Sequence, residues 1–105
     1  MIKMKKVIIL LADGFEEIEA LAPLDVLRRL NYDVELISMN KTLDVKSSHN
    51  VNFKADKLFS DDCYNACGLI IPGGMPGATN LRDDLRVINL VKKFYEDQKR
   101  QSRKF

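Results

Sequence analysis

The segment Leu69-Ile-Ile-Pro-Gly-Gly-Met-Pro-Gly-Ala-Thr-Asn80 decides the fold, because it joins a short apolar strand to a turn with almost no side-chain cover. Proline ends the strand, and the paired glycines let backbone amides approach a ligand closely. Upstream, Val7-Ile-Ile-Leu-Leu-Ala-Asp-Gly-Phe-Glu-Glu-Ile-Glu19 repeats the pattern: an apolar run, a glycine turn, then a helix that opens with carboxylates. Apolar runs that do not alternate read as strands buried on both faces of a parallel sheet. Ligand crevices in such sheets lie beyond the carboxyl ends of the strands, which sets Glu19 and the Gly73-Gly74 amides at one edge.

Working outward, Ile18, Leu21, Ala22, Val26 and Leu30 recur at helical spacing and predict one apolar stripe. Pro23 cannot donate to the carbonyl of Glu19, so the helix is expected to start near Ala22 or to kink around Glu19. Asp33 to Met39 reads as a second strand. Asp44 to Lys54, with Ser47, Ser48, His49 and Asn50 in its middle, reads as a small hairpin outside the main sheet. Asp56 to Ala66 reads as loop or short helix, and Cys67 to Ile71 as a third parallel strand. Asp83 or Asp84 can cap a final helix ending near Gln98, with an apolar stripe of Val87, Ile88, Val91, Phe94 and Tyr95. The order specifies a parallel α/β sandwich.

Composition narrows the function classes. A chain of 105 residues is one small domain, and 46% hydrophobic with 30% charged residues fits a globular protein. A net charge of +2, with basic residues dispersed, argues against a nucleic-acid partner. The run from Val7 to Ala12 is too short for a secretion signal and is followed at once by acidic residues. No stretch has membrane-spanning length, so the expected location is cytoplasmic. Cys63 and Cys67 lack zinc or redox-motif spacing, and His49 is the single histidine, so no metal is expected and both thiols read as structural.

The two glycine-turn segments, with Ala22-Pro-Leu-Asp-Val-Leu-Arg-Arg29 and Ser47-Ser-His-Asn-Val51, resemble the ThiJ/PfpI superfamily, which holds the Parkinson-disease-associated protein deglycase and its bacterial relatives. The resemblance implies an α/β, flavodoxin-like (Rossmann-like) parallel sheet flanked by helices. Residues 1–98 would be the amino-terminal part of the domain. Lys99-Arg-Gln-Ser-Arg-Lys-Phe105 is a basic tail without a family counterpart, which leaves the fold incomplete at the carboxyl end and suggests truncation.

For function, the resemblance implies cysteine-dependent deglycation or glyoxal hydration on small reactive carbonyl compounds or glycated adducts, with no cofactor, and redox-sensing, stress-response or chaperone roles. Glu19 would support the nucleophilic cysteine, Gly73 and Gly74 would line the oxyanion side, and Gly14, Thr79 and Asn80 would shape the wall. The nucleophile itself follows a strand that should come after Gln98, and neither cysteine here corresponds to it. The chain as written is therefore expected to be inactive. The helix around Ala22 to Arg29 contributes to dimerisation in the superfamily, which implies a homodimer or association with a complementing chain. His49 stands where many relatives carry arginine near the dimer contact.

Read from the residues alone, Glu19 is a partly buried carboxyl able to hold a proton, or one member of an acidic first turn that favours the helix dipole. A non-catalytic dimerisation or interaction module is the second function class. A phosphate- or nucleotide-binding domain is the third, and it lacks both a Gly-x-Gly-x-x-Gly and a P-loop lysine.

Overall fold

The computed structural model describes residues 5–103, with side chains described from Lys5 to Lys99; residues 1–4 and 104–105, the end of the expected basic tail among them, lie outside that range. The chain order is β1 (Lys6–Leu11), α1 (Glu17–Arg29), β2 (Asp33–Ser38), β3 (Asp44–Lys46), β4 (Asn52–Lys54), β5 (Lys57–Leu58), a 3-10 helix (Asp61–Asn65), β6 (Gly68–Ile70), α2 (Gly77–Arg82) and α3 (Leu85–Arg103). The main sheet runs β5-β2-β1-β6 with every pairing parallel. Strands β3 and β4 form a separate antiparallel hairpin, as the sequence predicts.

The unbroken apolar run of β1 has a direct structural cause. It is an interior strand, paired with β2 on one side and β6 on the other, and side chains on both of its faces must be buried. Ile8, Leu10 and Ala12 pack with Ile37, Met39, Leu81, Val87 and Leu90 on one face. Val7, Ile9 and Leu11 pack with Phe15, Ala20, Val34, Leu36 and Val45 on the other. Helix α1 thus covers one face and α3 the opposite one, giving the α/β sandwich expected. Phe15, fully buried, meets Phe53 edge-on at 5.1 Å and so ties the turn after β1 to the hairpin. Such an aromatic pair adds about 0.5–1.5 kcal/mol beyond its area.

Several local expectations are corrected. Helix α1 begins at Glu17 and carries Pro23 in its interior, so the proline neither starts nor ends it. Its inward stripe is Ala20, Leu24 and Leu27, whereas Ile18, Ala22, Val26 and Leu30 are exposed. Residues two apart on a helix point about 200° away from each other, so choosing the wrong apolar stripe inverts the helix. The last helix likewise packs through Val87, Leu90 and Phe94, leaving Ile88, Val91 and Tyr95 at its flank, and it continues past Gln98 to Arg103. The segment from Asp56 to Ala66 contains a fourth parallel strand, β5, beside the short helical turn. Between β6 and α3 lies α2, an additional helix.

These assignments predict that Leu90→Ala, which empties a fully buried site, costs about 2–5 kcal/mol of stability. Ile18→Ala, at a side chain 66% exposed, should change stability by roughly 0.5 kcal/mol or less. Urea denaturation of both variants measures the contrast.

Candidate functional site

The site is built where the loops after β1 and β6 meet. Gly73 makes a two-way contact with the start of α1: its carbonyl accepts from Glu16 N–H at 2.9 Å, and its own N–H donates to Glu19 Oε1 at 2.9 Å. A Cβ on Gly73 would stand 2.9 Å from that same oxygen, so a side chain there would displace the carboxylate from its present position. Gly74 adopts φ +95°, and a Cβ there would lie 2.6 Å from Glu16 N and 2.7 Å from the Gly14 carbonyl. The two loops are therefore in backbone-to-backbone contact.

The structure brings Glu19, Gly73 and Gly74 to one edge, beyond the carboxyl ends of β1 and β6. It also changes how they relate. Glu19 is exposed rather than partly buried, and the Gly73 amide is occupied by its carboxylate. The Gly74 N–H has no acceptor among the described residues. Gly14 donates its N–H to the Lys46 carbonyl at 2.8 Å, tying the loop to the hairpin. Asn80 donates to the Asp13 carbonyl at 3.0 Å and so clamps α2 onto that loop. Thr79 donates its hydroxyl to Met75 Sδ at 3.7 Å.

Neither thiol joins them. Cys63 is buried in the 3-10 helix, and Cys67 precedes β6, at the opposite end of that strand from Gly73. Beside the site, an apolar cavity of about 460 Å³ opens along Ile71, Pro72, Gly73, Leu81, Ile88 and Val91. It lies past the carboxyl end of β6, which pairs with β1 alone among the described strands.

Sequence reasoning missed a second cluster, on the other side of the first turn of α1. Glu17 Oε1 lies 2.8 Å from His49 Nδ1, and Glu17 Oε2 accepts from Ser47 Oγ at 2.8 Å. Glu16 Oε2 is 3.9 Å from the same imidazole nitrogen. The hydrogen bond from His49 is the chief cause holding the Glu17 carboxyl down to about 2, with its own backbone amide and Ser47 assisting. In return Glu17 raises the His49 pKa above 6.5. The available signal was Ser47-Ser-His49 on a turn and Glu16-Glu17 on another. The backbone contacts of Gly14 and Phe15 with Lys46, Ser47 and Ser48 make them neighbours.

Comparison with known proteins gives the same frame. The DJ-1/PfpI family model matches residues 5–102. The chain is 33% identical over 101 residues to the glutathione-independent glyoxalase DJ-1 of Schizosaccharomyces pombe, covering 89% of this chain and 53% of that protein. It is 31% identical over 98 residues to deglycase TK1284 of Thermococcus kodakarensis, covering 90% and 56%. The crystal structure of a mutant of the DJ-1 superfamily protein STM1931 from Salmonella typhimurium aligns with a TM-score of 0.84 at 39% identity, over 90% of this chain and 51% of that one. The chain spans between 22% and 56% of the length of curated relatives of this kind.

The Glu17–His49 pair sets a pH window. Glu17, lowered from 4.5 to about 2, contributes stability above pH 4.5 that is lost as pH falls towards 2. His49, raised from 6.5, contributes below pH 6.5 and loses that contribution as pH rises through its folded value. In a chelator-containing buffer, the stability gap between wild type and His49→Asn should be widest between about pH 4.5 and 6.5 and shrink on either side. Urea midpoints across pH measure it, and a gap independent of pH would contradict the pairing. Gly74→Ala, strained by its positive φ and by the backbone it would strike, should cost about 1–3 kcal/mol in the same assay.

Proposed function

The chain belongs to the DJ-1/PfpI family, and on that premise we propose that it supplies the carboxylate and glycine-loop half of a cysteine-dependent site for glyoxal-type carbonyls or glycated adducts. The reading is supported above all by the 2.9 Å contact between Glu19 Oε1 and the Gly73 amide, made beside the open edge of β6. The thiol comes from polypeptide paired to that edge and filling the apolar cavity next to it. Its thiolate sulfur bonds to the carbonyl carbon while the carbonyl π pair moves onto oxygen. With Gly73 engaged by Glu19, the Gly74 N–H is the amide left for the resulting oxyanion. Glu19 orients the thiol and takes its proton before the attack, and that proton is then available to the oxyanion.

The test begins with the chain as it stands, which should consume no glyoxal above background. Residues 1–98 fused to the carboxyl-terminal half of the Schizosaccharomyces relative should turn it over. Glu19→Gln in the fusion should lower kcat by roughly 10²-fold and shift the pH profile of thiol alkylation. Glyoxal turnover by the chain alone that disappears in Cys67→Ser would put the chemistry elsewhere.

A second reading, as an association module, is favoured by the outward face of α1. Ile18, Val26 and Leu30 are each more than half exposed, on the side of α1 turned away from Ala20, Leu24 and Leu27. Two copies joined through this face would bury them. Sedimentation equilibrium should show concentration-dependent dimers that Val26→Glu weakens at least about tenfold, the cost of one charge at an apolar contact. Unchanged association would remove α1 from the interface.

A further inference from the structure

We infer that Glu16, Glu17 and His49 form a binding site for one divalent transition-metal ion of the zinc, nickel or copper type. One donor atom from each of the three residues lies within 4.8 Å of the other two. From His49 Nδ1 the distances are 2.8 Å to Glu17 Oε1 and 3.9 Å to Glu16 Oε2. An ion with bonds of about 2.0–2.2 Å holds adjacent tetrahedral donors ~3.4 Å apart, between those two separations. Small side-chain adjustments suffice.

Each carboxylate divides its oxygens in a way that suits a ligand. Glu16 Oε1 accepts from the Ile18 N–H at 3.2 Å, capping α1, and Oε2 is the oxygen on the imidazole side. Glu17 Oε2 accepts from Ser47 Oγ, and Oε1 is the oxygen at the imidazole. Ser47 is itself buried and fixed, its N–H donating to the Val51 carbonyl at 2.9 Å and its Oγ accepting from Val51 N–H at 3.1 Å. Ser48 N–H donates to the Phe15 carbonyl at 2.8 Å, which locks the histidine-bearing turn onto the loop that carries the glutamates. This is the outer-shell support that orients metal ligands.

Charge decides against the obvious objection. The amino end of α1 carries roughly half a positive charge, whereas the two carboxylates carry two full negative ones, so a dication remains favoured. Binding replaces the Glu17–His49 hydrogen bond, and the imidazole enters as a neutral ligand. An imidazole with two carboxylate oxygens selects zinc, nickel or copper over magnesium or calcium, which prefer all-oxygen shells. His49 is 71% exposed, so water completes the coordination and the ion exchanges.

Calorimetric titration of the full chain with Zn2+ should give one ion per chain. His49→Asn should weaken binding by about tenfold or more, and Glu17→Gln similarly, while a Cys63→Ser/Cys67→Ser double variant retains it. Because His49 is a surface residue, its variant stays folded, which circular dichroism verifies. With Cu2+ the electron paramagnetic resonance spectrum should report a single imidazole nitrogen, absent in His49→Asn. No binding by wild type at millimolar Zn2+, equal affinity in His49→Asn, or loss only in the cysteine double variant would each overturn the site.

Discussion

The structure depends on the two-way hold between Gly73 and the first turn of α1. Its carbonyl and amide are both engaged there, by Glu16 N–H and Glu19 Oε1. Strand β6 is short and, among the described residues, has a ladder on one side only, so its own pairing with β1 does little to fix the loop leaving its carboxyl end. The clasp supplies that fixation through contacts between loops rather than through the sheet. Steric freedom makes it possible: a Cβ on Gly77 would sit 2.7–2.8 Å from the backbone of Gly14 and Phe15, as one on Gly74 would from Glu16 and Gly14. The same absence of side chains that lets the loops touch leaves amides near the surface, so the fold and the candidate chemistry share one cause.

Three glutamates in a single helical turn take three separate tasks, because successive residues on a helix point about 100° apart. Glu16 caps the helix, Glu17 reaches the hairpin, and Glu19 reaches the opposite loop. All three also benefit from the positive end of α1. An acidic first turn is thus more than dipole complementation here. It is the hub joining the hairpin, the sheet and the glycine loop, and the ion-pairing cluster and the Glu19 site lie on either side of it.

Much of this was legible because parallel sheets write themselves plainly: Val7 to Leu11 has to be apolar throughout, and Pro72-Gly73-Gly74 has to end a strand. The meeting of Glu19 with those glycines also followed from strand direction. Helix α1 was harder, since Ile18, Ala22, Val26 and Leu30 match helical spacing as well as Ala20, Leu24 and Leu27 do. Only the sheet beneath chooses between them. Strand β5 was hidden because Lys57 and Leu58 are exposed and carry no alternation over so short a length. The His49–Glu17 contact joins residues far apart in sequence through a hairpin that lies outside the main sheet, and no local pattern encodes it.

The unequal treatment of β1 and β6 bears on stability. Val7 to Leu11 are buried, whereas all residues of β6 are only half-buried, and Ile71, Ile88, Val91 and Tyr95 beside it remain substantially exposed. Full burial of one such side chain contributes about 1.5–3 kcal/mol. Partial cover of four of them therefore forgoes roughly 5 kcal/mol, at the lower end of the net stability of a whole domain. A strand laid along β6 would recover that energy while placing its own carboxyl end beside Gly73 and Glu19. On the function proposed above, covering the apolar edge and bringing a thiol beside Gly73 and Glu19 would be one event, and burial of that edge would supply the energy that positions the thiol.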